Sequence, residues 1–218
     1  MPVRKITKNH LFVTGLFSSH KTGEMLAFES PLEKDYLLLL EFDDQVEHFE
    51  PQPVRIPIPG AGKSYVPDVL VRFKPSASGD SRPPQVTEVK ATWDLQKNAD
   101  KYAPKFEAAA NYAAEREWLF TIKTEEDIRT PRLANLKFLR RYRNHEPAHG
   151  HLPLILDELA AVGGWATSEE LLAKLAPAED ARMALLPSLW HMLITGAICT
   201  DLDEPMPREV PLWLPNPT

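Results

Sequence analysis

The stretch from Tyr65 to Lys90 restricts the possible folds of this chain more than any other. The runs SYVPDVLVRF and QVTEVKA alternate apolar or β-branched residues with polar ones, and the SASGDSRPP between them is turn chemistry. Antiparallel pairing through that turn makes a hairpin. Side chains two apart on a strand share a face, so Glu88 and Lys90 point one way and Val89 the other. Asp68 opens the partner strand and is placed to approach Glu88. Two carboxylates beside a lysine suit metal-dependent phosphodiester hydrolysis, because carboxylate oxygens hold hard cations and an ammonium steadies a water or a developing phosphate charge. A cross-strand Glu–Lys ion pair on a solvated face accounts for the same residues. The triplet alone does not decide between them.

The stretches on either side extend the pattern. Upstream, SPLEKDYLLLLEFD has the chemistry of a helix start: Ser30 as N-cap, Pro31 at the first helical position and Glu33 three residues after the cap. Leu32, Tyr36, Leu39 and Leu40 supply the apolar spacing. Glu33 is therefore explained as a cap, and a first-turn carboxylate can serve a cation as well. Glu29, Asp35 and Glu41 are the competing acids, read as facing solvent. Residues 3–29 hold two strand-like runs around SSHKTG, a basic hairpin in which His10 and His20 either approach phosphate or are simply solvated. Gln52-Pro53, Pro57 and Pro59 mark an edge strand or its end, since proline cannot donate to a ladder. Gly60-Ala61-Gly62 is a turn.

After Lys90, an Ala-, Glu- and Lys-rich segment predicts a long helix that Pro104 kinks or splits, followed by the strand WLFTIK with Thr124 as the next cap. Strand, long helix and strand imply a crossover connection onto one sheet. Lys97, Lys101 and Lys105 line a possible DNA approach. RTPRLANLKFLRRYR (129–143) reads as a basic helix with Leu133, Leu136, Leu139 and Tyr142 inward. Arg132, Lys137, Arg140, Arg141 and Arg143 then lie outward, an electrostatic footprint for a phosphate backbone. Solvated helix faces explain both sets equally well.

Charge divides the chain. Residues 145–218 hold three Lys/Arg (Lys174, Arg182, Arg208) against eleven Asp/Glu, a net of −8 within a whole-chain −6, so the remainder carries +2. The first part can approach nucleic acid; the acidic tail is suited to protein. His145, His149 and His151 lie in a Pro/Gly/His stretch (144–151) read as a linker. The tail has helix breaks at Gly163-Gly164 and Gly196, a capped EELLAKL, and two strand-like pieces, AICTDL and VPLWL. Three helices and a hairpin is winged-helix order. Its third helix offers only Arg182 and His191 to a groove, which favours protein contact. The single cysteine, Cys199, excludes an intramolecular disulfide. No apolar run reaches membrane-spanning length, and MPVRKITKNH is followed by no signal core, so a cytoplasmic setting with no membrane partner is expected.

With Ser30-x-Leu32-Glu33, Gln52-Pro53, Pro67-Asp68, Glu88-x-Lys90 and Trp118-Leu-Phe-Thr121 in that order, the chain resembles the TnsA-like transposon endonucleases. The resemblance covers about residues 1–143 and extends loosely into the tail. It implies an α/β, restriction-endonuclease-like domain over 1–143 (a mixed sheet flanked by helices), a linker at 144–151 and a small winged-helix domain over 152–218. It implies metal ligands or catalytic acids at Glu33, Asp68 and Glu88, and a catalytic lysine at Lys90. Mg²⁺ is the implied cofactor, with Mn²⁺ as a substitute. The implied task is hydrolysis of the 5′ strands at the ends of a transposon in double-stranded DNA. A DDE-type transposase partner handles the 3′ ends, and an AAA+ regulator docks on the acidic tail. Two other readings stand beside it: a free-standing restriction or repair nuclease of the same fold, and a non-catalytic winged-helix adaptor. Glu29 or Glu41 could take the place of Glu33.

Overall fold

The computed structural model describes residues 14–76 and 79–215, so His10 lies outside the described residues. It divides into two compact units, one ending at Arg129 and the other beginning at Thr130.

The first unit begins with a hairpin, β1 (Gly15–Ser18) and β2 (Met25–Phe28), paired antiparallel around the expected polar turn. Helix α1 (Pro31–Glu41) follows, with the Ser30 side chain accepting the Glu33 N–H at 3.1 Å. The reciprocal bond of the capping box goes one residue further back, from the Glu29 N–H to Glu33 Oε2 at 2.7 Å. Ser30→Ala removes one N-cap acceptor and should cost about 1 kcal/mol. A drop of a few degrees in thermal midpoint checks this; an unchanged midpoint would show that the cap contributes nothing.

Strand β3 (Val46–Pro51) leads to a two-stranded ribbon, β4 (Ile56–Ile58) and β5 (Lys63–Tyr65), then to β6 (Val69–Phe73) and β7 (Gln85–Val89). The ribbon turns through Gly60 and Gly62, both at positive φ, and stands apart from the main sheet. Short helix α2 (Thr92–Lys97) and helix α3 (Ala99–Ala114) carry the chain to β8 (Leu119–Lys123). The main sheet has the order β3-β6-β7-β8, with the first two pairings antiparallel and β7–β8 parallel. A parallel pair requires a crossover, and α3 is the one the sequence implies.

Alternation along the strands assigns the two faces. Leu70 and Val86 pack with Ala113 of α3, while the Thr87 hydroxyl, on the opposite face, lies 3.4 Å from the Tyr36 hydroxyl of α1. The unit is thus a mixed four-stranded sheet flanked by helices. The ribbon is held against α3 by Ile56, Tyr65, Ala108 and Ala109. The connection breaks at Asn98, not at Pro104. Asn98 ends α2 with its side chain donating to Asp94 Oδ1 at 2.6 Å, whereas Pro104 is accommodated early in α3. After β8 comes α4 (Glu125–Ile128), with Thr124 and Asp127 forming a capping box.

Two acids read as solvent-facing are buried instead. Glu41 is 4% exposed, accepting from the Ser19 hydroxyl at 2.6 Å and the His20 N–H at 3.0 Å; Asp35 is 7% exposed and pairs with Arg129 at 3.5 Å. Helical spacing alone cannot show that a carboxylate's partners arrive from a distant hairpin or loop.

The second unit contains α5 (Pro131–Leu139), a 3₁₀ turn (Arg140–Tyr142), α6 (His151–Ala161), β9 (Trp165–Thr167), α7 (Ser168–Leu175), α8 (Glu179–Thr195) and β10 (Pro211–Trp213). The basic helix thus belongs to this unit, earlier in the chain than the boundary read from the sequence. Its Leu139 joins Ile155, Leu171, Leu189, Met192 and Leu212 in one core. Nor is 144–151 a bare spacer: the His145 ring lies 6.3 Å from that of His191, whose Nδ1 is 2.9 Å from the Tyr142 carbonyl. Gly196, at φ 77°, closes α8 in the left-handed conformation that glycine adopts without strain. The two tail strands meet over one antiparallel bridge, with the Cys199 N–H donating to the Trp213 carbonyl at 2.8 Å and the Trp213 N–H to the Cys199 carbonyl at 3.0 Å. β10 also pairs antiparallel with β9.

Candidate active site

The register of β6 on β7 pairs Val69 with Thr87, which sets Asp68 beside Glu88 at the end of the sheet. Asp68 Oδ2 accepts the Val89 N–H at 2.7 Å, so the backbone of one strand locks the carboxylate of the other. The Lys90 ammonium stands 2.9 Å from Glu88 Oε1 and 3.3 Å from Asp68 Oδ2. The Lys90 N–H bonds to the Lys123 carbonyl at 3.1 Å, continuing the β7–β8 pairing and fixing the lysine's origin. The sheet brings together the three residues singled out from the hairpin.

Glu88 is 3% exposed, so its pairing with Lys90 is not that of a solvated sheet face. Tyr65 explains how it is tolerated: its hydroxyl donates to Glu88 Oε2, so both carboxylate oxygens are engaged. Tyr65 was not predicted as a site residue. Its only sequence signal is its position three residues before Asp68, and its approach depends on the β4–β5 ribbon folding back.

Glu33 joins from the first turn of α1. Burial, and then the negative charge of Asp68, push its carboxyl up to about 7. The same two causes push Glu88 up to about 7, although Lys90 and Tyr65 pull the other way. Burial works against the Lys90 ammonium, but Asp68 and Glu88 outweigh it and hold its pKa above the ordinary lysine value. Three carboxylates are thus compressed around one positive charge. Glu41 is bound to the β1–β2 turn, while Glu29 is tied into the site from behind: its Oε1 accepts from Gln52 Nε2 at 3.2 Å.

The donor chemistry suits a hard divalent cation, since such ions take carboxylate oxygens. Asp68 and Glu88 already share a positive charge in the Lys90 ammonium. Among the described residues, however, no three His, Cys, Asp or Glu side chains form a ready-made cage. Asp68 and Glu88, with Glu33, would hold the ion only with help from other oxygens.

Of the expected DNA contacts, Lys97 and Lys101 are exposed on α2 and α3, and Lys105 is half-buried. The Lys101 and Lys105 ammoniums lie 5.7 and 5.4 Å from the centre of the Tyr102 ring. Arg132, Lys137, Arg140 and Arg141 lie in the second unit; Arg132 pairs with Asp203 at 3.3 Å and Arg141 lies over the Phe138 ring. Arg182, on α8, pairs with Glu169 at 3.2 Å, so its charge is engaged within its own unit.

Residues 43–125 match the family model described as TnsA-like endonuclease N terminal. The matched span contains Asp68, Glu88 and Lys90, whereas Glu33 lies before it and owes its place to the geometry. No curated protein matches the chain. No helix among the described residues is long and apolar enough to cross a membrane.

Proposed function

From the match of residues 43–125 to the TnsA-like endonuclease N-terminal model, we propose that this chain is the DNA-cleaving subunit of a heteromeric transposase. In this reading it hydrolyses the 5′, non-transferred strands at transposon ends. The observation that supports it most directly is the Asp68–Lys90–Glu88 cluster at the sheet end, inside the matched span. A mixed sheet with this cluster at its end fits the restriction-endonuclease-like fold expected of such enzymes. The helices and the β9–β10 pair of the second unit serve as a winged-helix-like module for docking an AAA+ regulator.

Mg²⁺, held by Asp68 and Glu88 with Glu33 beside them, would polarise the scissile phosphate and ease deprotonation of the attacking water. Asp68 and Glu88 hold the Lys90 ammonium above the ordinary lysine value, which favours its charged form. Its task is to hold the water in line or to offset charge growing on the phosphate oxygens. Water oxygen bonds to phosphorus, the P–O3′ bond breaks, and the 3′ oxygen leaves with a proton. The products are 5′-phosphate and 3′-hydroxyl ends.

Nicking of DNA carrying transposon ends, with Mg²⁺ or Mn²⁺ and with or without a DDE-type transposase partner, tests the reading. Cleavage at the 5′ ends that requires the partner supports it. Cleavage by the chain alone points to a free-standing nuclease, and none under any combination points to an adaptor.

The titration of the acids adds a pH signature. A cation needs ionised carboxylates, and Glu33 and Glu88 hold their protons up to about 7. Cleavage at limiting Mg²⁺ should therefore rise between about pH 6 and 8 and then level off. More Mg²⁺ should move the midpoint to lower pH, because ion and proton compete. A profile flat across that window, or one insensitive to Mg²⁺, would remove these two carboxylates from the site.

A further inference from the structure

Gln52 is not explained by packing. It is 7% exposed, yet its Oε1 has no hydrogen-bond partner among the described residues. Its backbone lies at φ 49°, the left-handed region that a non-glycine residue seldom occupies, and such strain collects at functional sites. Two contacts hold it there. The Gln52 N–H donates to the Asp68 carbonyl at 2.8 Å, which seats residue 52 against the residue that carries the central carboxylate. The Gln52 Nε2 donates to Glu29 Oε1 at 3.2 Å, and the Glu29 N–H in turn holds Glu33 Oε2. The donor end of the amide is therefore spoken for, and the acceptor end is left buried with nothing to accept. A buried acceptor without a donor is unfavourable, and it persists where something outside the protein chain completes it.

We propose that the Gln52 amide oxygen is a further oxygen donor to the divalent cation bound by Asp68 and Glu88. The proposal rests on the cation reading above and deepens it. It also meets the shortfall in donors: no three acids form a cage among the described residues, and a hard cation seeks about six oxygens, amide carbonyls included. The competing explanation is that one buried water satisfies Oε1 and that Gln52 only ties β3 to Glu29.

The test is Mn²⁺ binding by the full chain without DNA, followed by loss of the free-ion paramagnetic resonance signal. Wild type is compared with Gln52→Met, Gln52→Gly and Asp68→Asn, and the melting temperature of each is taken without metal. Gln52→Met keeps the length of the side chain and removes its polar atoms. Gln52→Gly is the safeguard against misfolding, since glycine adopts the left-handed backbone without strain. The expected result is binding to wild type, its loss in Asp68→Asn, and affinity about tenfold or more weaker in both Gln52 variants. Wild-type affinity in a folded Gln52 variant, with loss in Asp68→Asn, overturns the assignment of Gln52 and leaves the cation reading standing. No binding to wild type overturns both.

Discussion

Asp68→Asn should reduce cleavage by about a thousandfold or more while leaving the protein folded. The substitution changes one oxygen for an NH₂ group and removes a negative charge. Its activity cost follows from losing the carboxylate that both meets Lys90 and would hold the cation, and charge-stabilising groups in such sites are worth about a hundred- to a thousandfold each. Its stability cost is small for two reasons. The asparagine carbonyl can still accept the Val89 N–H, and removing the charge relieves Glu33 and Glu88, whose raised pKa values owe their second-largest share to Asp68. Single-turnover nicking and a thermal melt on the same sample check both halves. An unfolded Asp68→Asn protein, or one that cleaves at near wild-type rate, would undo the assignment of the site.

Lys90→Met should be the more damaging change to the fold, with a dependence on pH that identifies its cause. Among the described residues, the Lys90 ammonium is the positive charge that reaches both Asp68 and Glu88. Removing one partner of a buried charge cluster costs roughly 3–5 kcal/mol, because the remaining charges are left uncompensated. The sign follows from the acids. Glu33 and Glu88 have folded-state pKa values raised from the ordinary 4.5 to about 7, so the stability linked to their protonated forms is full below about 4.5 and is lost as pH rises through about 7. Lys90 itself is charged across that window. The penalty for Lys90→Met is accordingly largest at pH 8 and shrinks toward pH 5, where the acids protonate and no longer need the ammonium. Denaturant melts of both proteins at the two pH values measure the difference; an equal penalty at both would mean that packing, not charge, is what Lys90 contributes.

The local elements were open to reading because their causes are local. Ser30, Pro31 and Glu33 start α1 through bonds spanning four residues, and Thr124 caps α4 the same way. Alternation in VLVRF and QVTEV predicts the β6–β7 hairpin, and with it the meeting of Asp68, Glu88 and Lys90. The resemblance to the TnsA-like endonucleases rested on those residues, and the match over 43–125 agrees with it.

What the tertiary structure alone decided are the contacts made between residues far apart in the chain. Glu41 and Asp35 look like solvated helix acids until Ser19 and Arg129 reach them. Tyr65 engages Glu88 only because the β4–β5 ribbon packs against α3, and Gln52 gains its meaning only when its N–H finds the Asp68 carbonyl. The basic helix 131–139 reads as a phosphate footprint by composition, yet its apolar face belongs to the core of the second unit. The order of residues determined the elements and the identity of the charged groups. Burial determined their protonation and partners, since desolvation depends on what the rest of the chain packs around a carboxylate.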